Sequence, residues 1–150
     1  MDVELKQALI DAVQKPLYII EWDKPFAIFV DASGFAVAGV LTQPDGGGGH
    51  RPIAFHSAKL TKTQQNWATV EREAYAAISA LKKFRAWIFG GPEVILYSDH
   101  NPLTYLTMAA PRSAKLMRWS LALQDFDNLV FKYKVGKTNL AADCLSRTGM

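Results

Sequence analysis

A single cysteine, Cys144, occurs among 150 residues, so an intramolecular disulfide and any cysteine-based zinc site are excluded. A reactive thiol is not expected either, because Cys144 has no obvious basic or histidine neighbour. No apolar run approaches the ~20 residues of a membrane span, and the opening Met1-Asp2-Val3-Glu4-Leu5-Lys6 lacks a basic leader followed by an apolar block. The chain therefore reads as intracellular, with no membrane partner. The glycine-rich stretch Pro44–His50 lacks the Gly-x-x-x-x-Gly-Lys-Ser/Thr pattern and no helix start follows, which makes it a hairpin loop and not a phosphate cradle. Internal repeats are also missing.

What remains is ordinary for a soluble globular domain with one sizeable core: 49% hydrophobic and 21% charged residues. The net charge of +3 conceals an asymmetry. Residues 1–50 carry three Lys/Arg against seven Asp/Glu, and residues 51–150 carry fourteen against seven. A basic bias of that size permits a polyanionic partner without requiring one.

Along the chain, residues 3–14 show a helical apolar pattern that Pro16 ends, and residues 1–24 resemble the tail of a preceding domain more than part of this core. Phe26-Ala27-Ile28-Phe29-Val30 reads as a buried strand that stops at Asp31-Ala32-Ser33-Gly34, a turn. Residues 35–42 and 51–57 are predicted as second and third strands of an antiparallel meander. From Thr63 the period changes: Trp67, Val70, Ala74, Ala77, Ile78, Leu81, Phe84 and Ile88 mark one face of a long helix, with Gly90-Gly91-Pro92 as its stop. Val94–Ser98 is a fourth buried strand. Helices are predicted over about 101–108 and 113–127, a fifth strand over 129–135, and a short last helix holding Ala141, Ala142, Asp143 and Leu145.

This order gives an α/β fold with a five-stranded mixed sheet, three antiparallel strands followed by two parallel ones, and helices on both faces. The helix between strands 3 and 4 is a crossover, which sets strand 4 parallel to strand 1 and beside it. Asp31 and Asp99, each closing one of these strands, then share an edge where ligands gather in such sheets. Taken alone, Asp31 also fits a turn-capping role. A helix crossing the strands can add Glu71 or Glu73, which lie on opposite margins of the apolar stripe, so that periodicity does not choose between them. Asp143 is a candidate fourth carboxylate. No Lys or Arg stands within Phe29–Ser33 or Tyr97–Asn101, which weakens a local salt-bridge explanation. Convergent carboxylates repel one another without cations, and an oxygen-only donor set suits Mg²⁺ or Mn²⁺.

Over residues 25–147 the chain resembles the ribonuclease H domain of reverse transcriptases from gypsy-like LTR retrotransposons. The resemblance is carried by Val30-Asp31-Ala32-Ser33, by Ile53–Leu60 and by Glu71–Arg85. It continues in Ser98-Asp99-His100, Arg118-Trp119 and Ala142-Asp143-Cys144-Leu145-Ser146-Arg147. It implies a ribonuclease H fold and hydrolysis of the RNA strand of an RNA–DNA hybrid with two Mg²⁺ ions, for which Mn²⁺ can substitute. The family's metal-binding carboxylates fall on Asp31, Glu73, Asp99 and Asp143. Residues 1–24 then correspond to the end of the connection segment, residues 148–150 to a tail, and the polymerase and connection domains of the same polyprotein become partners. A cytoplasmic retroelement particle is the implied setting.

The chain departs from many cellular ribonucleases H in lacking a histidine in Lys134–Thr138, before the last carboxylate, and in lacking a basic protrusion after Asp99. Expected substrate contacts are the backbone of Ala32, Ser33 and Gly34 toward 2′-hydroxyls, with Arg118 and Asn139 as further candidates, and the Lys and Arg residues between Arg112 and Lys137 toward DNA phosphates. Asn139 fits helix capping as well, and His100 fits a turn better than proton transfer. The alternative to an enzyme is a non-catalytic module of the same fold, kept for hybrid binding or packing.

Overall fold

Phe26, Ile28 and Val30 are fully buried, and they belong to the central strand of the sheet. The computed structural model describes residues 20–99 and 113–133. Strands β1 (Phe26–Ala32), β2 (Ala36–Pro44) and β3 (His50–Lys59) form an antiparallel meander. A single turn, α1 (Lys62–Gln65), and a long helix, α2 (Thr69–Ile88), lead to β4 (Val94–Ser98), and α3 (Ala114–Gln124) precedes β5 (Leu129–Tyr133). The sheet order is β3-β2-β1-β4-β5, with β4 parallel to β1 and β5 parallel to β4. The predicted crossover is thus observed.

Strand alternation divides the core. Phe26, Ile28, Val30, Val37, Leu41, Val94 and Leu96 face α2 and α3, whereas Ala27, Phe29, Ala38, Val40 and Tyr97 form a second cluster. Both described longer helices pack on the first cluster, and among the described residues no helical side chain joins the second. The helix expected over 101–108 and the short last helix holding Ala141, Ala142, Asp143 and Leu145 lie outside the described residues.

Helix α2 meets the sheet through small side chains: Ala74, Ala76, Ala77 and Ala80 are all fully buried. Opposite them, Gly39 of β2 is so close that an added Cβ would stand 3.0 Å from the Ala80 Cβ. The Gly–Ala contact lets α2 lie low across β1 and β2, which brings its first turns to the end of β1.

The single helix expected from Thr63 is two. Thr61 and Gln64 form a reciprocal capping box, with Gln64 N donating to Thr61 Oγ1 at 3.2 Å and Thr61 N to Gln64 Oε1 at 2.9 Å. After Asn66 the backbone leaves the helix and restarts at Thr69. The Arg72 guanidinium donates to the carbonyls of Gln65 and Trp67 at 2.9 and 3.3 Å, satisfying acceptors that the break exposes. Trp67 consequently lies in the break, not on the helix face, and its ring packs edgewise on Tyr75 and Trp119. At the other end of α2, Asn128 Nδ2 donates to the carbonyls of Ile88, Gly91 and Pro92 at 3.0, 3.2 and 2.8 Å, fastening the turn before β4. Residues 20–24 are held to β2 by Gln43, whose side chain exchanges hydrogen bonds with the Glu21 backbone.

Candidate active site

In the parallel register of β1 and β4, Phe29 stands opposite Tyr97, and their rings stack with centroids 4.8 Å apart. Asp31 and Asp99 each lie two residues further along. Alternation therefore sets both aspartates on the same face at neighbouring strand ends, one step beyond the stacked rings. An aromatic residue two positions before each aspartate was the sequence signal for this floor, and reading the strands only as apolar runs missed it.

Glu73 approaches the same strand ends from the second turn of α2, on the opposite side of β1, close enough for the charges of Asp31 and Asp99 to act on it. It is 4% exposed and Asp31 6%, so two carboxylates are buried at one sheet edge. The Ala32 backbone amide hydrogen-bonds the Glu73 carboxylate. Burial first, and then the charges of Asp31 and Asp99, push the Glu73 carboxyl up from its ordinary 4.5 to about 8; the Ala32 amide and Arg72 pull the other way. A carboxyl so placed keeps its proton at neutral pH unless positive charge arrives. Among the described residues, Glu73 Oε2 and Asp99 Oδ1 are buried acceptors with no hydrogen-bond partner. Among the described residues, no three His, Cys, Asp or Glu side chains already stand at metal-ligand spacing.

Glu71 is elsewhere. Its carboxylate points toward α3, where Lys115 Nζ lies 2.8 Å from Oε2. The structure thus gathers Asp31, Glu73 and Asp99 and leaves Glu71 out, while Asp143, Asn139 and His100 lie outside the described residues. Arg118 is exposed on α3. In the turn after Asp31, the Ser33 amide donates to the Ala36 carbonyl at 2.8 Å, and Ser33 Oγ accepts from the amides of Phe35 and Ala36 at 3.3 and 3.1 Å. The amides of Ala32 and Ser33 are therefore engaged within the protein. Gly34 is exposed, with open space where a side chain would be.

A mixed sheet of this order, with an aspartate closing each of two adjacent parallel strands and a glutamate brought in by the crossover helix, is matched by a family model described as the RNase H-like domain found in reverse transcriptase, over residues 21–126. The chain belongs to this family. The matched span holds Asp31, Glu73 and Asp99 and ends before Asp143. The Pol polyprotein of transposon opus from Drosophila melanogaster is 43% identical over 124 residues, covering 83% of this chain and 12% of that polyprotein. The transposon gypsy polyprotein of the same organism is 37% identical over 130 residues, 87% of this chain and 12% of the relative. The Tf2-3 polyprotein of Schizosaccharomyces pombe is 34% identical over 146 residues, covering 95% of this chain and 11% of the relative. The chain thus spans only about 12% of the length of such relatives.

Solved structures show the same fold. The foamy viral protease-reverse transcriptase in complex with RNA/DNA hybrid superposes with a TM-score of 0.63 at 20% identity, over 90% of this chain and 19% of that one. RNase H1 from the halophilic archaeon Halobacterium salinarum NRC-1 gives 0.53 at 20% identity, over 83% and 95% of the two chains. This RNase H-like domain is that of a retrotransposon reverse transcriptase, with the transposon gypsy polyprotein among its relatives.

Proposed function

We propose that this RNase H-like domain is a metal-dependent endonuclease that hydrolyses the RNA strand of RNA–DNA hybrids during reverse transcription of a retroelement. The observation that carries the reading is the convergence of Asp31, Glu73 and Asp99 from three elements at one buried sheet edge, with acceptor oxygens of Glu73 and Asp99 unpartnered. A structural carboxylate cluster without cations has no physical reason to persist there, because burial and mutual repulsion both oppose its charge.

The donor set fits Mg²⁺ or Mn²⁺: it is all oxygen, partly unsatisfied, and accepts positive charge with a gain in ionisation. Asp31, Glu73 and Asp99, with Asp143 as the fourth, are the residues we assign to two such ions. When bound, divalent cations at such a site activate water and stabilise the leaving 3′ oxygen of a phosphodiester. The chain supplies the frame for this chemistry. The Ala32 amide orients Glu73, the Phe29–Tyr97 stack floors the aspartate pair, and Ser33 braces the turn that follows. With the Ala32 and Ser33 amides engaged, Gly34 is the turn residue left open to a 2′-hydroxyl of the RNA. Products carry 5′-phosphate and 3′-hydroxyl ends. Residues 1–24 we read as the end of the connection segment, joining this domain to its polymerase partner within a cytoplasmic particle.

The test incubates the full 150-residue chain with labelled RNA–DNA hybrid, double-stranded RNA and double-stranded DNA, in Mg²⁺, Mn²⁺ or EDTA. Metal-dependent loss of only the hybrid's RNA strand is expected, and Asp31→Asn and Asp99→Asn are expected to abolish it while the protein stays folded. Hybrid binding by the folded chain without cleavage, in any metal and also when joined to its polymerase, overturns the reading in favour of a binding module.

A further inference from the structure

The outer face of α2, turned away from the sheet, carries a basic groove that the catalytic reading does not use. Lys82, Lys83, Arg85, Ala86 and Phe89 line a shallow space of about 500 Å³. Among the described residues no acidic side chain lines it, and the ion pairs go elsewhere, to Glu21 and Glu71. From Glu73, residues 82–85 lie roughly 14–18 Å further along the helix axis at 1.5 Å per residue, and Lys82 is half a turn round from it. A strand lying in the groove is therefore not the segment being cleaved.

Two features set this face apart from ordinary solvated lysines. The Arg85 guanidinium lies over the Phe89 ring at 4.0 Å from its centroid and within 5.7 Å of the Phe126 centroid. Held over the ring, the guanidinium presents its N–H groups to an anion at less entropic cost than a waving side chain. Phe89 is itself 53% exposed, an aromatic surface retained beside the cations. Ala86, small and exposed, leaves the floor between Lys82 and Phe89 open.

The geometry points to a second nucleic-acid contact: Lys82, Lys83 and Arg85, with Phe89 as the platform, grip the phosphodiester backbone of nucleic acid away from the catalytic edge. The three cations fall within about one helical turn, so their long side chains fan out onto neighbouring phosphates, and the contact reads charge and not bases. It retains hybrid between cleavage events without touching the scissile bond. The contact does not depend on catalysis, and its test therefore runs in EDTA, where binding is read without cleavage.

A fluorescent 20-base-pair RNA–DNA hybrid is titrated by anisotropy at several salt concentrations with the full chain, with K82Q/K83Q, with R85K, and with K24Q/R51Q as an equal-charge control. Loss of two phosphate contacts lowers the slope of log K against log salt by roughly 2 and weakens binding by about tenfold at moderate salt. That result is expected for K82Q/K83Q and not for K24Q/R51Q. R85K, which keeps the charge but loses the guanidinium held over Phe89, is expected to weaken binding by about threefold at an unchanged slope. Thermal unfolding of each variant, expected to match the parent, separates binding from folding. Equal losses in K82Q/K83Q and the control, or poly-glutamate bound by the parent as tightly as the hybrid is, overturns the inference.

Discussion

Lys115 of α3 reaches Glu71 of α2, with Nζ 2.8 Å from Oε2 and 3.7 Å above the Trp67 ring. One cation thus engages a carboxylate and an indole at once, where the break before α2 meets α3. Glu71 is used in holding these parts together, and Glu73, two residues on, turns to the strand ends. Glu71→Gln is expected to cost about 0.5–1 kcal/mol of stability and to leave hybrid cleavage within a few-fold of the parent. Glu73→Gln is expected to lower cleavage by roughly 100-fold or more, as when a group stabilising transition-state charge is removed. Rates on labelled hybrid, read beside the unfolding midpoint, separate the two.

The raised Glu73 carboxyl makes metal-free stability depend on pH. Between the ordinary 4.5 and about 8 the folded protein holds a proton that the unfolded chain releases. Folding is then favoured below this window and loses that contribution as pH rises through it. In EDTA the unfolding midpoint is expected to fall from pH 6 to pH 9. Mg²⁺ should raise it, by an increment that grows with pH, because the ion binds the ionised site. Glu73→Gln should flatten both trends in a thermal scan.

Gly39 and Ala80 set how closely α2 approaches the sheet. Gly39→Ala places a methyl 3.0 Å from the Ala80 Cβ, with Phe84 and Val30 atoms at 3.6 Å, so the helix must lift. The cost is expected to be about 1–3 kcal/mol. Adding Ala80→Gly should recover part of it despite the lower helix propensity of glycine, so that a double-mutant cycle reports a favourable coupling.

Asn128 clasps three carbonyls at the start of β4. Asn128→Ala leaves these acceptors without the side-chain amide, and a loss of about 1–3 kcal/mol is expected. Denaturant unfolding checks the loss. Because the clasp is at the opposite end of β4 from Asp99, hybrid cleavage by the folded variant should be unchanged.

The meander, the parallel pairing of β4 with β1 and the edge shared by Asp31 and Asp99 are legible in the residues, whereas the place of β5 beside β4 comes from the structure. Apolar runs that stop at an aspartate show where strands end, and a helix-length crossover between two strands of one sheet forces them parallel. Periodicity also placed Glu71 and Glu73 at the margins of the α2 stripe, but it describes a helix against an unspecified neighbour. Only the packed structure sent Glu71 to Lys115 and Glu73 to Ala32, because that choice depends on how α2 is rotated against β1 and α3. Trp67 shows the same limit. Its spacing fits the helix, yet a capping box and the Arg72 hydrogen bonds end one helix and start another around it. Arg85 over Phe89 completes the pattern: charge and aromaticity are written in the chain, and the stack that makes them a preorganised surface exists only once α2 ends and its last turn folds against Phe126.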